Sequence, residues 1–348
     1  GLFMWTVDTA LEFIRNSVSE ISPTQNQNLV LSLMRYFTSQ LKDMYKQDGY
    51  EAYTDIKNRV QVLEGKFLFS LVWALGGSAT TESRKAIDAF LKKLLSGDIK
   101  VPEFEKRKLT MPERGSLFDY NFVPKKGAAP GSTFEWVNWV DFIDANEKIP
   151  NKIQPQEIIV KTNDTVRYSF LLGLNIANEI PTLFCGPTGT GKSCYIKDYI
   201  NTKLPVTEYM SIKLGFSAQT SSIQTQDIVD SKLDRKRKGV FGPKTGKCIL
   251  FVDDLNMPSK EKYGAQPPIE LLRQFIDQGG WYEHKDKEKP FRNLVDIIPV
   301  AAMGPPGGGR TFVSARLLRH FTLVSLTSFE DETLTRIFNT ILHWYFAV

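Results

Sequence analysis

Apolar residues recur every three or four positions through the first hundred residues of the chain. Phe3, Val7, Ala10, Leu11 and Ile14 share one helical face, and Leu29, Leu33 and Phe37 share a second. Val60, Leu63, Phe67, Leu71 and Ala74 make a third, stopped by Gly76-Gly77; Ile87, Phe90, Leu91 and Leu94 make a fourth, stopped at Ser96-Gly97. Four amphipathic helices predict a small α-helical bundle over residues 1–110, with its aromatic residues, Trp5 and Trp73 among them, packed as core. The period is then lost. Pro124 to Ser132 is turn chemistry, and Phe134, Trp136 and Trp139 follow it in a hairpin arm, so residues 111–155 read as a linker between domains.

From 156 to 348 a different pattern sets in. Asp164 to Ile176 has helical spacing, Thr182 to Cys185 is a short buried strand, Cys194 to Ile200 a helix, and Tyr209 to Phe216 alternates as a strand does. Lys247 to Asp254 is a continuous apolar run ending in two acids, the pattern of a central strand buried on both faces. Strands alternating with helices predict an α/β domain with a parallel sheet and crossover helices.

Between the first of these strands and its helix lies Gly186-Pro187-Thr188-Gly189-Thr190-Gly191-Lys192-Ser193, which fits the phosphate-loop pattern at every constrained position. The residue types follow from the chemistry. Glycines let backbone N–H groups approach an anion without obstruction, the lysine pairs with the β- and γ-phosphates, and the serine hydroxyl is a ligand for Mg²⁺. The helix that follows turns its positive end to the anion. The nucleotide-contacting set is therefore Gly186, Pro187, Thr188, Gly189, Thr190, Gly191, Lys192, Ser193 and Cys194. Asp253 and Asp254, at the carboxyl edge of a later strand, complete the pattern: Asp253 as the acid that holds Mg²⁺ through water, Asp254 as the acid that polarises an attacking water. ATP or ADP with Mg²⁺ is the expected ligand.

Composition narrows the alternatives. With 348 residues, 42% hydrophobic, the chain can build two cores. It begins at Gly1 without a leader and stops at Val348 after an apolar helical run, so it reads as an excerpt of a longer protein. No apolar run of about 18 residues occurs, so no membrane is expected as a partner. The three cysteines, 185, 194 and 248, sit in or beside the nucleotide core without metal or disulfide spacing, which suits a reducing intracellular compartment. His284, His320 and His343 are too scattered for a zinc motif. A net charge of +5 is mild, and the basic stretch Lys232 to Val240 reads as a solvated hairpin insertion, with no nucleic-acid reader module and no stacking aromatics in it.

The motifs also resemble a family. Gly186 to Ser193, Phe251 to Pro258 and Tyr263 to Gln274 are similar to the third AAA+ module of axonemal dynein heavy chains, and Ala301 to Arg310, Arg316 to Phe321 and Ile158 to Tyr168 extend the likeness. The phrasing is most like the single-headed inner-arm type. Leu68 to Gly77 resembles the helical lid of the preceding, second module. The resemblance implies a five-stranded parallel AAA+ sheet preceded by that lid, within a ring of AAA+ modules that moves toward microtubule minus ends in the axoneme of a cilium or flagellum. It implies partners among the other modules of the same heavy chain. Intermediate and light chains and microtubules would be reached through regions outside the fragment. It implies that Ile159 and Val160 cover the adenine, and that Arg319, or else Arg316, is an arginine finger toward the neighbouring module.

Two departures from the family pattern bear on turnover. Many AAA+ sites place a glutamate where Asp254 stands, one methylene longer, and a polar residue, usually asparagine, where Gly304 stands. Both changes predict slow hydrolysis with binding intact, since positioning supplies much of phosphoryl-transfer catalysis. The expectation is a regulatory ATPase module, with a nucleotide-bound structural spacer as the alternative. A stand-alone P-loop kinase is disfavoured, because no phosphoacceptor site or lid follows the loop.

Overall fold

Each of the four helical faces becomes a helix in the computed structural model: α1 (Leu2–Ser17), α2 (Asn26–Tyr45), α3 (Ile56–Gly76) and α4 (Thr81–Ser96). The structure describes residues 2–45, 56–99, 110–127, 133–144, 149–150 and 153–347. They group into two compact units, one of Gly1–Glu20, Leu29–Leu174 and Thr327–Val348, the other of Ile21–Asn28 and Asn175–Leu326.

In the first unit α3 is apolar on every side from Phe67 to Ala74, and only Ser70 interrupts the run; these residues are all buried. Ser70 satisfies its hydroxyl on the Lys66 carbonyl at 2.7 Å. Trp73 packs edge-on to Phe118 at 5.5 Å; the side chain of Trp5 lies outside the described residues. Helix α4 starts where the Thr80 side chain accepts from Ser83 N–H, and stops where Gly97 takes a φ of 84°. The hairpin arm is β1 (Tyr120–Pro124) paired antiparallel with β2 (Phe134–Asn138), with Phe122 stacked on Phe134 at 5.4 Å; residues 128–132 of its turn lie outside the described residues. Helix α5 (Asn163–Ala177) brings Tyr168 to Arg84, whose Nη1 donates to the phenol oxygen at 3.1 Å, and pairs the partly buried Arg167 with Asp164. Both cations thus enter the core with partners, the condition for tolerating buried charge.

The second unit carries the parallel sheet. Its strands are β3 (Thr182–Cys185), β4 (Tyr209–Gly215) and β7 (Lys247–Asp253), then β10 (Ile297–Met303) and β11 (Thr322–Ser325), in the order β11-β3-β10-β7-β4, every pair parallel. Between them run α6 (Lys192–Asp198), which continues through a π-helical turn at Tyr199–Lys203, α7 (Ser222–Asp230), α8 (Pro267–Gln278) and the short α9 (Ala315–Leu318). The basic stretch forms the hairpin of β5 (Asp234–Arg237) and β6 (Val240–Gly242), with β5 wholly exposed. It joins β8 (Gly280–Tyr282) and β9 (Phe291–Leu294) in a second, four-stranded sheet. After β11 the chain returns to the first unit as α10 (Asp331–Ala347).

One face of the parallel sheet packs Leu183, Ile212, Leu250 and Ala301 against Leu272, Phe275 and Trp281. Leu250, 1% exposed, sits in the middle of β7. Leu250→Ala is expected to cost about 2–5 kcal/mol, the range for truncating a buried leucine. Equilibrium denaturation of the second unit's transition would read it. Register places Val300 of β10 opposite Thr182 on one side and Phe251 on the other. The carboxyl ends of β3 and β7 therefore flank that of β10, the edge where open α/β sheets bind ligands.

Candidate functional site

The loop leaves β3 through a narrow gap. Leu326 N–H donates to the Cys185 carbonyl at 2.7 Å, and a Cβ added to Gly186 would lie 2.4 Å from the Leu326 carbonyl oxygen, so only glycine fits there. Gly189 and Gly191 then take φ of 86° and 82°, values that open the loop and that side chains disfavour. The Thr190 hydroxyl closes the turn on the Pro187 carbonyl at 2.9 Å. Lys192 folds back over the loop, donating to the Gly186 carbonyl at 2.8 Å and the Pro187 carbonyl at 2.6 Å. The backbone N–H groups of Thr188 and Gly189 donate to no acceptor among the described residues. An ammonium and unpaired amides around a concave backbone form an anion cradle.

The acids come from β7. Asp253 is its last residue, and its Oδ1 accepts from the Ser193 hydroxyl at 2.6 Å while Oδ2 faces Lys197 Nζ at 3.4 Å. A hydroxyl and a carboxylate held together at the mouth of the loop are hard oxygen donors of the kind Mg²⁺ takes alongside phosphate. Asp254 lies just outside the strand, exposed, with a φ of 53°; its Oδ1 is 3.9 Å from Arg310 Nη2. Left-handed backbone at a non-glycine residue is uncommon and collects at functional sites.

Burial lowers the Lys192 ammonium below its ordinary pKa, and the Arg310 guanidinium acts in the same direction, against Cys185, Asp254 and Asp253. Arg310 is thus near enough to Lys192 for the two cations to feel each other. Burial also pushes the thiols of Cys185 and Cys248 up to about 12, so both remain protonated and behave as small core residues. Cys194, in the first turn of α6, is exposed.

Ile159 and Val160 belong to the first unit, where they line a cavity of about 260 Å³ together with Ile143, Ile158, Arg336 and Thr340. Arg319 is engaged on its own surface: its Nη2 donates to Asp277 at 2.7 Å, and His320 Nε2 reaches the same carboxylate at 2.7 Å. Arg316 is exposed and makes no ion pair among the described residues. His284 pairs with Asp227 instead, far along the chain from His320.

Four side chains at the site have no role assigned from the sequence. Lys197, one helical turn beyond Ser193, steadies Asp253. Asn256 and Gln266 brace the loop after β10, through Asn256 Nδ2 to the Gly304 carbonyl at 2.9 Å and Gln266 Nε2 to Thr311 Oγ1 at 2.6 Å. Arg310, the last residue of the stretch Ala301 to Arg310, points to the site from that same loop. The legible signal was the run of glycines before it, which marks a turn but not its direction.

The sequence profile of the P-loop containing dynein motor region matches residues 147–329, and that of the dynein heavy chain AAA lid domain matches residues 1–141. Among curated proteins the chain is 44% identical to dynein axonemal heavy chain 3 of Mus musculus over 99% of its length. It is 40% identical to dynein axonemal heavy chain 12 of Mus musculus over 99%, and 41% identical to dynein axonemal heavy chain 1 of Homo sapiens over 98%. The chain spans 8%, 11% and 8% of those relatives. The phosphate loop on a five-stranded parallel sheet and this likeness along the whole chain agree: the protein belongs to the axonemal dynein heavy chains and carries the P-loop AAA+ fold of their motor region.

Proposed function

We propose that this chain is a nucleotide-binding and slowly ATP-hydrolysing regulatory module of an axonemal dynein motor, working in the ring of AAA+ modules of a longer heavy chain. The reading rests above all on Lys192 lying over the loop carbonyls while Ser193 and Asp253 meet at 2.6 Å, which puts the cation and the oxygen donors of a nucleotide site at one sheet edge. Lys192 exchanges the Gly186 and Pro187 carbonyls for phosphate oxygens, a stronger, charge-assisted contact. Ser193 and Asp253 would hold Mg²⁺, whose charge would offset that of the phosphates. Asp254 orients the attacking water, and Arg319 or Arg316 serves the nucleotide of the preceding module. As part of an axonemal motor the chain acts in a cilium or flagellum, with microtubules, intermediate chains and light chains engaged through other regions of the heavy chain.

Slow turnover is the reading favoured by Asp254, which is short, exposed and outside the strand, and by the bare backbone at Gly304. A spacer that never cycles makes a different prediction. In the heavy chain, Asp254→Asn should prolong microtubule attachment if the module cycles and should leave motility unchanged if it does not, whereas Lys192→Ala impairs both kinds of module. Single-molecule run and dwell records separate the two. Chelating Mg²⁺ with EDTA should weaken a triphosphate analogue by about tenfold or more, an effect of losing the ion's charge that equilibrium binding would measure.

A further inference from the structure

Gly304 directly follows β10 at the edge that carries the phosphate loop, and it offers no side chain to a ligand. The space beside it is nonetheless filled. A Cβ built on Gly304 would lie 2.6 Å from Arg310 Nε and 2.7 Å from Arg310 Cδ. Three glycines bring that side chain back: Gly307, Gly308 and Gly309 take φ of 119°, 57° and 87°. Gly307 and Arg310 close the turn with two backbone hydrogen bonds of 3.0 Å. The root of the arginine is then fixed from the other side, since Thr311 N–H donates to the Asn256 carbonyl at 3.0 Å and Asn256 Nδ2 to the Gly304 carbonyl at 2.9 Å.

The head of Arg310 is held less well than its root. Its Nη2 is 3.9 Å from Asp254, beyond hydrogen-bond reach, and its Nε is buried with no hydrogen-bond partner among the described residues. A guanidinium carries five donors, and leaving a buried one unpaired is costly. A second cation, Lys192, lies near enough for the two charges to repel. An anion is the kind of partner that two neighbouring cations would accept.

We propose that Arg310 reads the terminal phosphate of a bound nucleoside triphosphate from within its own module, doing from position 310 what a polar side chain at 304 would otherwise do. The inference rests on the nucleotide reading of the loop. With a triphosphate present the guanidinium donates to the terminal phosphate oxygens, a planar charge-assisted match. With a diphosphate it stays beside Asp254. Arg310 thereby links the identity of the nucleotide to the acid that orients water.

The test uses the heavy chain that carries this segment, with the phosphate-loop lysines of its other modules changed to alanine. Dissociation constants are measured for Mg·ADP and for a non-hydrolysable Mg·ATP analogue. Arg310→Ala should weaken the analogue on the order of 10–100-fold, the worth of a charged hydrogen bond, and ADP by less than about threefold. Gly304→Ala, whose methyl displaces the guanidinium, should shift the ratio in the same direction. Gly304→Asn in the Arg310→Ala background should recover part of it. Equal weakening of both nucleotides, or no change in either, would overturn the inference and leave the loop's nucleotide reading standing. No binding by the unsubstituted chain would overturn that reading and this inference with it.

Discussion

Lys192→Ala should weaken binding of both ADP and ATP by on the order of 100-fold or more, because the ammonium is the principal cation the loop brings to the phosphates. The same substitution has a second, smaller effect without ligand. Lys192 donates to the Gly186 and Pro187 carbonyls, so removing it leaves two acceptors without their donor and should cost about 1–2 kcal/mol of stability. The two effects separate by thermal unfolding with and without nucleotide. The unsubstituted chain should rise in midpoint with nucleotide concentration, as any ligand selective for the folded state requires, and the variant should start slightly lower and not rise. A variant that still climbs with ADP would place the nucleotide somewhere other than the loop.

Asp254→Glu should raise turnover, and Asp254→Asn should lower it further. Asp254 leaves β7 with a φ of 53° and stands exposed, so its short carboxylate has little reach, and misplacing a catalytic group by about 1 Å can cost on the order of 100-fold. The added methylene of glutamate makes up part of that reach. We expect single-turnover hydrolysis in the intact heavy chain to quicken by about tenfold or more with glutamate and to become undetectable with asparagine, while affinity for ADP stays within about threefold for both. Equal rates for all three residues would mean that Asp254 takes no part in activating water.

The elements that positioned the site were the most legible in the sequence. Lys247 to Val252 is apolar at nearly every position, which only a strand covered on both faces requires, and it lies second from the edge of the sheet with all of Cys248 to Val252 buried. The phosphate loop declared itself because its glycines are demanded by backbone, as the 2.4 Å approach at Gly186 makes plain. Strand β10 was only half visible. Pro299 lies within it and lacks the N–H that ordinarily qualifies a residue for a central strand. The second sheet was visible in its hairpin but not in β8 and β9, whose three and four residues are too few to show a period. Nor does a polar stretch such as Ile21 to Asn28 announce its destination, although Asn28 Nδ2 donates to the Leu318 carbonyl at 3.1 Å.

At the site, sequence gave residue types and structure gave partners. Lys192, Ser193 and Asp253 were legible as a set because phosphate and Mg²⁺ binding calls for those residue types in that pattern. Arg310 was not, because a side chain that replaces its neighbour's function six residues later leaves no local pattern. Arg319 shows the opposite limit: an arginine at a module edge reads as a finger, yet its observed partners are Asp277 and His320. For it to act across an interface it must exchange Asp277 for a phosphate, and Asp277→Ala should therefore strengthen such a contact.

Whether the loop at Gly186 to Ser193 holds a nucleotide decides the function proposed for the chain. A density map of the intact heavy chain, prepared with saturating Mg·ADP or a non-hydrolysable Mg·ATP analogue, is the most direct measurement. Phosphate density enclosed by the loop, with Lys192 lifted from the Gly186 and Pro187 carbonyls and an ion between Ser193 and Asp253, is the predicted result. A loop left empty at saturation, with Lys192 still bonded to its own backbone, would contradict it.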